Sequence, residues 1–175
     1  MARYVALLRG INVGGSKPMR MADLRDLLSG LGYTDVATLL QSGNAVFTAG
    51  SRSAAAVRRA IEQAIEARFS FTVRVLIRTS EELAATVADN PLPVPDGSRF
   101  LVWFLDTDPD LTRVHAFDAA AFEPERFAIG EQVIYVWCAN RILESAVMGA
   151  LAKQRLSLTA TTRSWNTVTK LLALA

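Results

Sequence analysis

Two periodicities alternate along the chain in a fixed order, and that order narrows the fold more than any other feature. Tyr4–Ile11 is a short, mostly apolar run suited to a buried strand. Met21, Leu24, Leu27, Leu28 and Leu31 then recur at helical spacing until Gly32 ends the helix. Val36–Gln41 and Asn44–Thr48 are β-type runs separated by Ser42-Gly43, a dipeptide suited to a tight hairpin turn. Val57, Ala60, Ile61, Ala64, Ile65 and Phe69 return to the helical period, and Thr72–Ile77 alternates as a strand. The order is βαββαβ.

A helix over Glu81–Asp89 leads into Asn90-Pro91-Leu92-Pro93-Val94-Pro95-Asp96-Gly97, where the prolines forbid both regular helix and central strand. The pattern then starts over. Arg99–Leu105 reads as a strand, Asp110–Ala121 as a helix, Phe127–Ile129 and Gln132–Trp137 as a hairpin turning at Gly130-Glu131, and Ile142–Arg155 as a helix. Thr159–Arg163 supplies a last strand, and Val168, Leu171, Leu172 and Ala175 form the inner face of a closing helix. The sequence thus predicts an α+β protein of two ferredoxin-like βαββαβ lobes with an extra C-terminal helix. The duplication is visible in element order and not in residue identity. The expected divisions are residues 1–90 for the first lobe and its connecting helix, 91–98 for the linker, and 99–175 for the second lobe with the C-terminal helix.

With 51% of its 175 residues apolar and 21% charged, the chain has the material for a core. Its longest apolar runs, such as Phe100–Leu105, fall far short of the roughly 18 to 20 residues that span a bilayer. The apolar run after Tyr4 meets Arg9 before it reaches the roughly 7 residues of a signal-peptide core. A single cysteine, Cys138, agrees with a reducing compartment, so the cytoplasm is the expected location and no membrane partner is expected. Charge is uneven: residues 1–78 carry 11 Lys and Arg against 5 Asp and Glu, 79–144 carry 4 against 12, and 145–175 carry 4 against none. A basic, acidic, basic order suits an anionic ligand or two lobes that attract each other.

Three short polar motifs stand out. In Arg9-Gly10-Ile11-Asn12-Val13-Gly14-Gly15-Ser16-Lys17 the glycines follow a predicted strand and precede a predicted helix, where backbone N–H groups and the helix dipole attract anions. Arg9 and Lys17 add positive charge. The spacing is neither that of a Walker loop nor that of a dinucleotide fingerprint, and the same residues also suit a plain turn. Gln41-Ser42-Gly43-Asn44 is rich in hydrogen-bonding groups and reads equally as a hairpin turn. In a ferredoxin-like sheet it comes close to Asn12, because the end of the first strand adjoins the start of the third. Arg163-Ser164-Trp165-Asn166-Thr167 precedes the last helix, where Asn166 or Thr167 suits a cap, Trp165 an anchor or stacking surface, and Arg163 an ion pair or anion clamp.

Groups for chemistry are scarce. The one histidine, His115, falls on a predicted surface helix, and there is no serine-nucleophile elbow or histidine-rich metal pattern. Asp106, Asp108 and Asp110 alternate as cation ligands do, but Pro109 and the residues that follow do not continue a calcium loop. No metal and no cofactor is expected, and no reaction is assigned.

Leu8-Arg9-Gly10-Ile11-Asn12-Val13-Gly14-Gly15, Met21-Ala22-Asp23-Leu24-Arg25, Gln41-Ser42-Gly43-Asn44 and Arg163-Ser164-Trp165-Asn166-Thr167-Val168-Thr169-Lys170-Leu171 together resemble DUF1697, a bacterial family of unknown function, essentially end to end. The resemblance implies a small cytoplasmic α+β protein of two similar lobes and carries no activity. Relatives tend to have Ser-Lys where this chain has Ser145-Ala146, so a function resting on that lysine is in doubt here. The candidate ligand-binding residues are Arg9, Asn12, Gly14, Gly15, Lys17, Gln41, Ser42, Asn44, Arg163, Trp165 and Asn166. They are expected to form one pocket for a small anionic molecule, a nucleotide or phosphate-bearing metabolite. The alternatives are an RNA-binding sheet face, which needs a surface pair among Tyr4, Phe47, Trp103 and Phe104, and a structural or oligomeric protein without a ligand.

Overall fold

The computed structural model describes residues 2–175, the side chains of 157 and 158 excepted. Its first sheet contains β1 (Arg3–Leu8), β2 (Thr34–Leu39), β3 (Asn44–Thr48) and β4 (Val75–Thr79), with α1 (Met21–Gly30) after β1 and α2 (Ala54–Phe69) after β3. The helix α3 (Ser80–Ala88) follows β4 directly. The second sheet contains β5 (Phe100–Phe104), β6 (Arg126–Gly130), β7 (Val133–Trp137) and β8 (Thr161–Ser164), accompanied by α4 (Thr112–His115), α5 (Ala146–Ala152) and the closing α6 (Trp165–Leu174). Both sheets are antiparallel, with order β2-β3-β1-β4 in one and β6-β7-β5-β8 in the other. The chain is therefore an α+β protein of two similar lobes, its repeated strand order compatible with a ferredoxin-like duplication, and it ends in the expected helix. Internal contacts define two compact units, one running to Ala84 and including Lys170–Ala175, the other Ala85–Thr169.

In the first unit, alternation along the strands sends Tyr4, Ala6, Leu8, Ala45, Phe47, Val75 and Ile77 to one face of the sheet. The apolar stripes of α1 (Leu24, Leu27, Leu28) and α2 (Val57, Ile61, Ile65) share that cluster. Tyr33 stacks on Phe47 at 4.8 Å, and the Tyr4 hydroxyl donates to Arg52 O at 2.6 Å. In the second unit Leu101, Trp103, Ile134, Val136 and Cys138 occupy the corresponding face with Val114, Val147 and Leu151. The opposite faces are buried as well, as Val5, Leu7 and Val46 show in one unit and Phe100, Val102 and Phe104 in the other.

Several expected boundaries change, each for a local reason. β1 stops at Leu8 instead of Ile11, and the hairpin between β2 and β3 turns over four residues, Leu40 to Gly43, so Gln41 belongs to the turn and not to a strand. The expected Asp110–Ala121 helix is only the single turn α4 followed by a 3-10 turn at Ala119–Phe122. Asp118 restarts the chain there by accepting Ala120 N–H, and Phe117, Phe122 and Phe127 form a mutual ring cluster with centroids 5.7 to 6.0 Å apart. The expected Ile142–Arg155 helix is divided at Ser145, whose hydroxyl accepts Met148 N–H and begins α5. Glu125, buried, reinforces that start by accepting from the Ser145 hydroxyl at 3.1 Å and from Val147 N–H at 3.0 Å. β4 ends at Thr79 because Thr79 and Glu82 form a capping box: Glu82 N–H donates to Thr79 Oγ1, and Thr79 N–H to Glu82 Oε2.

Gly43 is the most closely surrounded glycine of the first unit. Its φ is +83°, and a Cβ there would lie 2.7 Å from Ile11 Cδ1 and 2.8 Å from Leu8 Cβ. Gly14, with φ +56°, has nothing within 4 Å of such an atom. Gly43→Ala should therefore cost about 3 kcal/mol, combining the left-handed backbone penalty with overpacking, and Gly14→Ala only about 1 kcal/mol. Denaturant unfolding of the two variants checks this, and equal losses would show that Gly43 is not held by its neighbours.

Candidate functional site

The glycine-rich stretch forms a hairpin of its own. Gly14 and Gly15 both have positive φ, 56° and 77°, the pair of central dihedrals that a type I′ turn requires. Ser16 N–H donates to Val13 O at 2.9 Å and the Ser16 hydroxyl donates to the same oxygen at 2.8 Å. Asn12 N–H donates to Lys17 O at 3.2 Å, closing the next rung. The glycines precede α1 as expected, with Ser16, Lys17, Pro18, Met19 and Arg20 between them and the helix, whose N-cap Arg20 provides no side-chain cap. The hairpin projects outward, with Asn12 to Ser16 all exposed and Val13 at 64%.

Asn12 holds this hairpin in place. Its Nδ2 donates to Met19 O at 2.8 Å and to Gln41 O at 2.7 Å, and its Oδ1 accepts Met19 N–H at 2.8 Å. One side chain therefore closes the 12–19 loop and joins it to the 40–43 turn, bringing the first two sequence motifs together. Its own φ of +55° is a conformation asparagine tolerates better than most residues. Just after the turn, Asn44 at the start of β3 is fully buried opposite Leu7 and donates from Nδ2 to Leu39 O at 2.8 Å and to the Ser42 hydroxyl at 3.1 Å. Gln41 uses its carbonyl for Asn12 while its residue surface stays exposed, as does that of Ser42.

Basic residues collect beside these loops. Lys17 Nζ donates to Thr72 O at 2.7 Å, and Arg9 N–H donates to Arg74 O at 3.0 Å. Thr72 and Arg74 line a shallow groove of about 400 Å³ along α2, together with Arg59, Glu62 and Glu66. Glu62 is engaged there by Val75 N–H at 2.9 Å. Arg59 and Arg74 were missed by the sequence reading because nothing in their own segments marks them; only the sheet brings residue 74 beside residue 9.

The third motif lies in the second unit. Arg163 is buried on β8, where its Nη1 donates to Thr161 Oγ1 at 2.7 Å and to Thr162 O at 2.9 Å, and burial pushes its guanidinium down to about 10. Trp165 packs edge-on against Phe100 at 5.3 Å. Asn166 N–H donates to Gly97 O at 3.2 Å, and the Asn166 side chain leaves no room for a Cβ at position 97. The helix cap expected from Asn166 or Thr167 comes from Ser164, whose hydroxyl accepts Thr167 N–H at 3.4 Å. Arg78 repeats this arrangement in the first unit: it is buried on β4, donates to the carbonyl of the preceding Ile77 at 2.9 Å, and is followed by the capping Thr79. Sequence reading passed over Arg78. The signal was available in the parallel between Arg78-Thr79-Ser80 and Arg163-Ser164-Trp165, each a buried arginine, a hydroxyl and a helix start.

The groups that suit catalysis are dispersed. His115 is exposed on α4, and burial pushes the Cys138 thiol up. Among the described residues no group of three or more His, Cys, Asp or Glu side chains could hold a metal ion, and no helix is long and apolar enough to cross a membrane. Ala146 is the exposed first residue of α5.

Two similar four-stranded lobes, with polar loops fixed at the end of the first sheet, define the kind of protein this is. A family model described as "Protein of unknown function (DUF1697)" matches residues 1–135 of the 175. The chain belongs to that family. The solved structure of the conserved bacterial protein SP0830 from Streptococcus pneumoniae is similar over 99% of this chain and 98% of its own, with 26% identity and a TM-score of 0.79. No curated protein matches the sequence.

Removing the Asn12 amide should release both loops. Asn12→Ala deletes three hydrogen bonds and places alanine at positive φ, so unfolding free energy should fall by about 2 kcal/mol or more and the Met19 amide should exchange faster with solvent. Unchanged exchange at Met19 would show that the loop does not depend on Asn12.

Proposed function

We propose that the first unit binds a small anionic ligand, a nucleotide or phosphate-bearing metabolite, where the 12–17 hairpin meets the groove beside Thr72 and Arg74. The observation that carries this reading is the Lys17 Nζ bond to Thr72 O, which fixes a cation of the hairpin at the wall of a groove that also contains Arg59 and Arg74. Arg9 joins through its backbone bond to Arg74 O. The Lys17 ammonium is held by a backbone carbonyl, and cations from separate segments can pair with several oxygens of one phosphate. The N–H groups of the exposed Gly14 and Gly15 can add donors, and Asn12, Ser42 and Asn44 hold the two loops in the binding geometry. Gln41, exposed on the turn, can orient the ligand's uncharged end.

In the second unit, the contacts of Arg163, Trp165 and Asn166 support a part in fixing β8, α6 and the 96–99 turn, and the ligand role is assigned to the first unit. The reading assigns binding and no reaction. Among the alternatives, recognition of RNA on a sheet face loses its expected support, since Tyr4, Phe47, Trp103 and Phe104 are all buried, at 4%, 0%, 5% and 0% exposure. A cytoplasmic setting goes with the proposal, supported by the lone cysteine being a buried free thiol.

Thermal-shift titration of the full chain with nucleotides, sugar phosphates and orthophosphate tests this reading. At least one should raise the melting temperature of the wild type, and Lys17→Ala and Arg74→Ala should each weaken its binding by about tenfold. A ligand that stabilises wild type and both variants equally, or the absence of any shift, would contradict it.

A further inference from the structure

We propose that a cleft lined by residues of the second unit binds a small zwitterion carrying one ammonium and one carboxylate, of free amino-acid to dipeptide size. The cleft has a volume of about 580 Å³, well within the roughly 300–1,000 Å³ of small-molecule sites. One wall is the segment after β5, which contributes Asp106, Asp108 and Asp110, with Arg113 of α4 beside Asp110. The other is the segment after α5, which contributes Lys153 and Arg155. Leu156, buried, also lines it and provides apolar surface.

The distribution of charge selects the ligand. Asp108, Lys153 and Arg155, all exposed, make no ion pair among the described residues, so these opposite charges flank the cavity without closing it. Asp110 is tied to its own wall, its carboxylate accepting Thr112 N–H at 3.1 Å. The facing wall is held by turns of its own, with Gln154 N–H donating to Leu151 O at 2.9 Å and Thr159 N–H to Leu156 O at 3.0 Å. A dianion entering here would meet the carboxylates, and a dication would meet Lys153 and Arg155. With Asp110 already beside Arg113, a zwitterion lying across the cleft pairs its ammonium with Asp108 and Asp106 and its carboxylate with Arg155 and Lys153, so each charge exchanges water for a charged partner.

The test titrates the full chain with the free proteinogenic amino acids and glycylglycine, followed by thermal shift and by NMR of backbone amides. Any zwitterion that binds is then compared with its N-acetylated form, which keeps only the carboxylate, and its amide, which keeps only the ammonium. The expected result is binding that perturbs the 106–110 and 153–156 amides and weakens by about tenfold or more when either end is blocked. The Lys153→Ala/Arg155→Ala double variant should erase the preference for the free acid over the amide, while Lys17→Ala in the first unit should leave it unchanged. Failure of every zwitterion to bind, or equal binding of blocked and free forms, overturns the proposal. Dependence on Lys17 instead of Lys153 and Arg155 also overturns it and returns the ligand to the first unit.

Discussion

The Asn12 side chain bears three hydrogen bonds at the one place where the first unit must hold two exposed loops in a fixed relation. Both of its polar atoms are committed: Oδ1 to Met19 N–H, Nδ2 to the carbonyls of Met19 and Gln41. Without that amide, the 12–17 hairpin would be tied to the rest of the unit chiefly by Lys17 and by the chain on either side of it. The arrangement depends in turn on close packing beneath. Gly43 lies against Leu8 and Ile11 so tightly that only glycine fits, and Leu8 N–H donates to Gly43 O at 2.8 Å, which brings the 40–43 turn near enough for Asn12 to reach. A glycine that packs, a pair of glycines that turn and an asparagine that joins them make a single device.

The same economy appears in the repeat. In each sheet the first strand of the βαββαβ unit lies in the interior, paired on both sides, and the last strand carries a buried arginine whose guanidinium turns back to the preceding carbonyl. A hydroxyl residue directly after that arginine starts the following helix, Thr79 for α3 and Ser164 for α6. Desolvation makes a buried guanidinium expensive unless its donors are satisfied, and a neighbouring carbonyl is the partner always at hand on a strand.

How far the sequence discloses all this differs from element to element. Strand and helix order in the first unit is legible because each periodic run, such as Val57 to Phe69, spans several turns against one core. The Asp110–Ala121 stretch misleads because its apolar residues have helical spacing, yet Asp118 offers the backbone a competing hydrogen bond and the three phenylalanines gather about β6 instead. Ser145 and Glu125 divide the next expected helix in the same way, through a partner 20 residues distant that no local pattern reveals. At the candidate site, the meeting of Asn12 with the Gln41 turn follows from strand order alone. The turn type at Gly14-Gly15 does not, because a glycine pair serves a hairpin or an anion cradle equally well until its dihedrals are known. Arg74 and Arg59 become visible only in three dimensions.

If Asn12 pre-organises the loops, the glycine turn is rigid before any ligand arrives, and binding there costs little in ordering. NMR relaxation of the ligand-free protein measures this directly. Backbone order parameters for Val13 to Ser16 near 0.85, about those of the adjoining strands, are what the account predicts; values below about 0.6 would mean a loop that Asn12 does not hold and would contradict it.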